Sequence, residues 1–368
     1  MSGPVAIGGT ADTIEIGGVV YSVHEFTEDG ELEILRPCRV EGILVGAGGE
    51  GGANNTGGGG GAGRVKPFVV DLQAGVYQLA VGKGGDANRA GSNAQGEDGE
   101  DTVAFGLVAE GGGGGGRGGH GGSCTSGHQG RNGASGGGGG GTWSGSTHPC
   151  PGQALEDGGT GHSGGFGRNI STTSARTGGG GGGMGGPGES VQSINGRGGY
   201  GGDGIRLDLS GYGLDDSVWF AAGGQGGTNG SGTRQSRNGI GGMGASGAGP
   251  ATDGAPNTGS GGGGSREPSH RVPGKGSDGY ILLRAYPMLL VSGVIYDRKG
   301  NPCQRTVYAM SRPSDESAPV LLAHTLSDPV TGHYELGVPT DDEITRVVVS
   351  EDDDAPLLND LVDRVIPG

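Results

Sequence analysis

Hydrophobic and polar residues alternate along the first 45 residues with the two-residue period of β-strands. The alternation predicts strands at 13–16, 19–26, 31–35 and 40–45. Gly17-Gly18 and Glu28-Asp29-Gly30 separate these strands, and glycine takes the positive φ that tight hairpins need. We therefore expect residues 1–45 to form an N-terminal β-meander that acts as a scaffold.

The same period recurs further along the chain. It predicts strands at 67–72, 76–81, 205–209, 217–221, 280–284, 290–296, 306–310, 320–326, 334–338 and 344–349. A 3.6-residue helical period is not sustained over any stretch of about twelve residues. The predicted fold class is therefore mainly β, with almost no α-helix.

Glycine makes up much of the sequence between the central predicted strands. The glycine-dense segments lie at about 46–63, 111–141, 178–202, 223–230 and 239–264. After Pro287 the composition changes, because residues 288–368 hold only 5 of the 96 glycines. We expect an N-terminal scaffold at 1–45, a glycine-rich domain at 46–287 with interspersed strands that complete the scaffold, and a C-terminal antiparallel β-sandwich at 288–368.

The glycine has several possible roles. A flexible linker is one, a phosphate-binding loop is a second, and a calcium-binding nonapeptide at 198–206 is a third. A fourth is a bundle of extended threefold helices, which make no internal hydrogen bonds and pair only with their neighbours. We favour the bundle, because patterned strands bound the glycine segments on both sides and the glycine supplies no side chains for a hydrophobic core.

The charge balance excludes one class of partner. The net charge is −16, and Lys and Arg form no cluster, so we expect no nucleic acid as a partner. The N-terminus has neither a basic start nor a sustained apolar run, and no stretch approaches 18 apolar residues. We expect synthesis in the cytoplasm without a signal peptide, and no membrane insertion.

Histidines and cysteines concentrate in the middle of the glycine-rich domain. The candidate metal ligands are His120, Cys124, His128, His148 and Cys150. Their spacing matches no standard zinc site, so a Cys124–Cys150 disulfide and plain surface positions are the alternatives. We expect no metal and no other cofactor. We also expect no enzyme activity, because carboxylate pairs such as Asp215-Asp216 lie in turn-like segments rather than on a rigid groove.

The chain resembles the glycine-rich domain of bacteriophage tail and fibre proteins. The resemblance rests, in family order, on Tyr21 to Phe26 with Gly30, Ile43 to Gly49, Ala80 to Gly85, Val108 to Gly116, and Gly279 to Arg284. Residues 288–368 resemble a second phage module, an immunoglobulin-like or carboxypeptidase-regulatory-like domain. The segments that carry this second resemblance are 291–297, 300–302, 306–309, 327–336 and 359–368.

The two resemblances imply a virion protein of the tail, fibre or receptor-binding class, commonly trimeric. They imply other tail or baseplate proteins as partners, and a host-surface receptor. An architectural virion part, such as a head decoration or head fibre, is the alternative. For an adhesin, binding side chains belong in the loops between glycine segments. The receptor-contact candidates are Trp143, His148, Phe166, Arg168 and Tyr200. For the loop at 142–177 the alternative is that Trp143 only caps the end of the bundle with an apolar side chain.

Overall fold

A computed structural model gives the fold of most of the chain. It describes residues 4–16, 19–54, 56–86, 94–119, 128–141, 153, 161–169, 176–191, 196–214, 217–230, 232–266, 272–297, 299–311, 321–339, 345–349 and 360–362. The described residues are mainly β, and their only helical elements are two 3₁₀ turns, Ser210–Tyr212 and Arg237–Gly239. The prediction of a mainly β chain with almost no α-helix is confirmed. Among the described residues, no helix is long and apolar enough to span a bilayer.

Nineteen strands follow one another along the described chain. They are β1 (Ala6–Ile7), β2 (Thr10–Ile16), β3 (Val19–Phe26), β4 (Gly30–Ile34), β5 (Cys38–Val45), β6 (Val65–Leu72), β7 (Gly75–Leu79), β8 (Thr102–Ala104), β9 (Leu107–Ala109), β10 (Arg168–Asn169), β11 (Arg176–Thr177), β12 (Ile205–Asp208), β13 (Ser217–Phe220), β14 (Tyr280–Val294), β15 (Thr306–Ser311), β16 (Leu321–Leu326), β17 (His333–Pro339), β18 (Thr345–Val349) and β19 (Asp360–Val362). Each strand predicted from the sequence overlaps one of these.

The principal sheet has the strand order β2-β3-β14-β5-β6, and all of its pairs are antiparallel. The predicted N-terminal meander is wrong in this respect. β14 lies between β3 and β5, and β4 belongs to a separate sheet of order β1-β4-β7. The reason is the apolar run at the start of β14, which needs cover on both faces and therefore takes a central position.

Two hydrophobic cores cover the two faces of β14. Ile281 and Leu283 point into one core, together with Leu32 and Ile34 of β4. Leu282 points into the other, with Phe220 of β13. The principal sheet therefore joins the small β1-β4-β7 sheet on one side to the β12-β13 hairpin on the other.

β14 also connects the glycine-rich part to the C-terminal part of the chain. Its residues up to Pro287 pair with β5, whereas Met288 to Val294 pair with β17. A second sheet of order β16-β15-β18-β19 follows. The boundary expected at 287/288 thus falls within one continuous strand, at the point where its pairing partners change.

The glycine-rich segments hydrogen-bond to each other in a period of three residues. We call the hydrogen-bonded segments the glycine network; they are 46–53, 57–64, 94–101, 110–119, 134–141, 178–184, 198–204, 221–228, 242–245, 259–265 and 274–279. In the segment 57–64, Gly57 and Gly60 donate to Ser265 and Gly262. Gly58 and Gly61 donate to Gly116 and Gly113, and Gly59 and Ala62 donate to Gly179 and Gly182. Three consecutive residues therefore donate to three different neighbours.

The segment 57–64 also accepts hydrogen bonds from three further segments. Gly49 and Gly52 donate to the carbonyls of Gly61 and Gly58, at 2.9 and 2.8 Å. The second donor segment contributes Ser135 and Gly138, and the third contributes Gly224 and Gly227. The segment thus contacts six neighbours, and all eight of its N–H groups and seven of its eight carbonyls hydrogen-bond to the backbone of these neighbours.

Close packing, rather than an unusual backbone angle, requires glycine here. Gly57 to Gly61 are not among the described residues with positive φ. A Cβ at Gly60 would overlap the carbonyl oxygen of Gly49, and one at Gly58 would overlap that of Gly138. Larger residues fit only where a segment leaves room, as at the fully buried Ala62. The backbones therefore approach each other as closely as the absence of side chains allows.

Candidate functional site

Side chains project from the glycine network where a segment lies at its edge. In the segment 198–204, Gly199 and Gly202 donate inward to the carbonyls of Gly178 and Gly181, at 2.9 and 2.8 Å. Tyr200 and Asp203 occupy another row of the same three-residue period, and Arg197 precedes them by one period. The period that packs glycine inward therefore collects three charged or aromatic side chains along one edge.

Glu189 is the centre of this group. Its carboxylate accepts two hydrogen bonds from Arg197, at 2.6 and 2.7 Å, and one from the backbone N–H of Tyr200, at 3.0 Å. The Arg197 guanidinium lies over the Tyr200 ring, 4.0 Å from its centroid. A bidentate pair combined with a cation–π contact fixes the orientation of the tyrosine ring.

The electrostatics of this pair favour its charged form. Burial acts to raise the pKa of Glu189, but the hydrogen bonds from Arg197 and from the Tyr200 N–H outweigh burial and hold that pKa below its usual range. The hydrogen bond to Glu189 raises the pKa of Arg197, against a smaller opposing effect of burial. Both groups are therefore ionised at neutral pH.

Phe166 joins the group through the neighbouring backbone. Its N–H donates to the hydroxyl of Ser190 and its carbonyl accepts from Val191, both at 3.0 Å, while its side chain is 43% exposed. Arg237 pairs with Asp203 at 2.7 Å on the other side. We call this surface the edge patch; it consists of Phe166, Glu189, Arg197, Tyr200, Asp203 and Arg237.

Two of the five predicted receptor-contact residues, Phe166 and Tyr200, hydrogen-bond to the same short segment, 189–191. Arg168 lies in β10, where its backbone pairs with Thr177 of β11. Trp143 and His148 lie outside the described residues. The prediction for these five residues stays a prediction.

The metal candidates fall mostly outside the described residues as well. His120, Cys124, His148 and Cys150 are among these, so neither their metal binding nor the Cys124–Cys150 disulfide is tested. His128 is described and buried, and its Nδ1 lies 3.0 Å from the carbonyl oxygen of Arg117. Within the described ranges, His, Cys, Asp and Glu form no group of three or more that could hold a metal ion.

Sequence reasoning did not single out Glu189, Arg197 and Asp203 as members of the site. The signal that could have found the last two is the spacing of three residues from Arg197 to Tyr200 to Asp203, with a pair of glycines in each interval. Glu189 carries no such signal. Its role depends on a neighbouring segment, since the Glu189 N–H donates to the carbonyl of Tyr200.

We expect the edge patch to lose stability in acid. A carboxylate whose pKa is lower in the folded than in the unfolded protein stabilises the fold above its unfolded pKa, and this contribution is lost as the pH falls through the folded pKa. Glu189→Gln should therefore lower the melting temperature at pH 7, and the difference from wild type should shrink below the ordinary glutamate pKa of 4.5. Solvent screening limits the effect to about 1 kcal/mol.

Melting temperatures measured at several pH values check this expectation. A double-mutant cycle isolates the pair. The change in stability of Glu189→Gln/Arg197→Gln is compared with the sum of the changes in the two single variants, and the difference reports the interaction between the two side chains. A difference between Glu189→Gln and wild type that is constant from neutral to strongly acidic pH would contradict the assignment.

Comparison with known proteins places this architecture in a family. A search of curated proteins returned no match to this chain. Residues 30–286 match a family described as glycine-rich domain, and this range includes the segments of the glycine network and the edge patch. The match covers more than half of the chain. On this basis, the chain belongs to the glycine-rich domain family.

Proposed function

We propose that this chain is a structural protein of a bacteriophage virion, located in the tail as a fibre, tail-tip or receptor-binding component. In this proposal the glycine network is a bundle of extended threefold helices that holds the edge patch rigidly toward the host surface. Other tail or baseplate proteins are its partners in the particle. The phage origin follows from the two resemblances in the sequence, to the glycine-rich tail domain and to the immunoglobulin-like module.

One observation carries the structural part of the proposal. The segment 57–64 donates to three neighbouring segments and accepts from three others, with donors changing partner every residue. Extended threefold helices have this hydrogen-bonding pattern, because their N–H and C=O groups point outward in three directions. Such a bundle gains rigidity from many backbone hydrogen bonds and supports side chains only at its edges and ends.

The composition of the edge patch supports a role in recognition. Phe166 is exposed, and Tyr200 is held by a charged pair that restricts its motion. Aromatic and arginine side chains contribute most of the binding energy in many protein interfaces. A rigid support further reduces the entropy lost when these side chains bind.

An adsorption experiment tests the recognition role. We expect virions that carry Phe166→Ala/Tyr200→Ala to adsorb to host cells at least about tenfold more slowly, while the purified protein keeps its melting temperature within a few degrees. The matched control is Val76→Ala, which shortens an apolar side chain that is 57% exposed on β7, outside the edge patch. Unchanged adsorption of the double variant would contradict receptor contact by the edge patch.

A purely architectural role in the virion is the second candidate. The glycine network favours it, since a bundle held by backbone hydrogen bonds is suited to stiffening a particle whether or not it binds a receptor. Immunogold labelling of intact virions separates the two roles. Label at the tail supports the first proposal, and label on the capsid supports a head decoration or head fibre.

A further inference from the structure

The two edges of the principal sheet differ in their protection against pairing. β6 forms one edge and contains Pro67, which has no N–H, and Lys66, whose Nζ donates to the carbonyl of Val108 at 3.0 Å. Proline and lysine are common devices that prevent an edge strand from pairing. β2 forms the other edge, has seven residues without proline, lysine or arginine, and is exposed at every position except Ile14. Of these two edges, as far as the structure describes them, β2 is therefore the one that is open to pairing.

The register of β2 with β3 gives the direction of the β2 backbone groups. Ile16 pairs with Val19 across a two-residue connection, so the hydrogen-bonded pairs of this hairpin are Ile16 with Val19, Ile14 with Tyr21 and Asp12 with Val23. The N–H of Thr13 donates to the side chain of Asp12, at 2.7 Å. In an antiparallel pair, residues that bond to the partner strand alternate with residues whose N–H and C=O point away. Ala11, Thr13 and Glu15 therefore present their backbone groups to the open side.

We propose that β2 pairs with β2 of a second copy of this chain, around a two-fold axis at Thr13. This inference goes beyond the proposed function and does not depend on it. In the antiparallel register Thr13 lies opposite Thr13, Ala11 opposite Glu15, and Asp12 opposite Ile14. The three outward pairs exchange about six hydrogen bonds, two for each pair. The two principal sheets thereby become one continuous sheet.

Charge selects this register among the nearest alternatives. Shifting the axis to Asp12 places two aspartates directly opposite each other, which is destabilising. Shifting it to Ile14 avoids that repulsion but shortens the overlap of the two strands. The register at Thr13 uses every outward residue of β2 and opposes no like charges. Strand β2 is in this sense complementary to itself.

Two features oppose the association and make it adjustable. Each copy carries a net charge of −16, so salt should strengthen the dimer by screening the long-range repulsion. The Asp12 carboxylate also occupies the Thr13 N–H and must release it before pairing. We therefore expect Asp12→Ala to tighten the dimer several-fold.

Sedimentation of the full chain over a range of concentrations and salt tests the proposal. We expect a monomer–dimer equilibrium in the wild type, and dimerisation weakened about tenfold or more by Thr13→Pro, which removes two central hydrogen bonds. Proline at this position leaves the pairing with β3 intact, because the lost N–H faces the open side. Thr13→Val is the matched control and should dimerise like the wild type.

Disulfide cross-linking tests the register itself. Oxidised Thr13→Cys should give a covalent dimer, because the two-fold axis brings the two Cα atoms within disulfide range. Glu15→Cys should stay at the level of the wild type, since the two copies of residue 15 lie on opposite sides of the axis. A wild type that is monomeric at every concentration, even at high salt, overturns the proposal. A wild-type trimer that Thr13→Pro leaves unchanged would also overturn the proposal. Neither result would affect the proposed role in host adsorption.

Discussion

Gly60→Ala is expected to destabilise the protein by about 4 kcal/mol, although it adds only one methyl group. Gly60 lies in the central segment of the glycine network, where its N–H donates to Gly262 and its carbonyl accepts from Gly224, both at 2.9 Å. The new Cβ would overlap the carbonyl of Gly49, which is backbone and cannot move aside as a flexible side chain can. Neighbouring segments must separate, and several hydrogen bonds lengthen together. A melting temperature lower by about 10 °C is expected.

Gly186→Ala is the matched control for this prediction. Gly186 is also buried and lies just beyond the segment 178–184, but the nearest atom to a Cβ there is the nitrogen of Asp203, at 3.6 Å. Its φ is not positive, so alanine fits without backbone strain. We expect a change within about 1 kcal/mol. Equal melting temperatures for the two alanine variants would show that close backbone packing does not hold the glycine network together.

Leu283→Ala is expected to cost about 3 kcal/mol, the second largest effect. Leu283 is fully buried in β14, opposite His24 of β3 and Gly42 of β5. A Cβ at Gly42 would overlap the backbone of β14 at Leu282 and Leu283, so the two strands are already in close contact and cannot collapse further. Truncation therefore leaves a cavity at the centre of the principal sheet. Chemical denaturation of the variant and the wild type measures the difference.

The control for Leu283→Ala comes from the edge of the same sheet. Val69 of β6 is 60% exposed, and Val69→Ala should change the free energy of unfolding by less than about 0.5 kcal/mol. A unit that unfolds cooperatively should show a single transition in both variants. If Leu283→Ala melts the principal sheet while the glycine network stays protected from hydrogen exchange, the two do not form one cooperative unit.

The local alternation of residues was sufficient to predict the longer strands, but the sequence did not predict the short strands β1, β8, β9, β10, β11 and β19. β3 has the predicted bounds, 19–26, and β12 and β13 begin where predicted, at Ile205 and Ser217. Strand formation depends on short-range patterning, which one sequence carries in full. The order of the strands does not follow from it. β14 pairs with β3 and β5 from more than two hundred residues away, and only burial on both of its faces gives it the central place.

The sequence by itself determined that hydrophobic burial cannot hold the glycine-rich segments together, and that side chains within them are confined to interruptions of the glycine runs. It did not determine which segments are neighbours. Gly59 and Gly60 are chemically identical, yet one donates to Gly179 and the other to Gly262. Without side chains a glycine run carries no local information on its partners, so the β scaffold and the three-residue period decide the pairing. The edge patch follows from that pairing, because Glu189 meets Arg197 and Tyr200 only once their segments lie side by side.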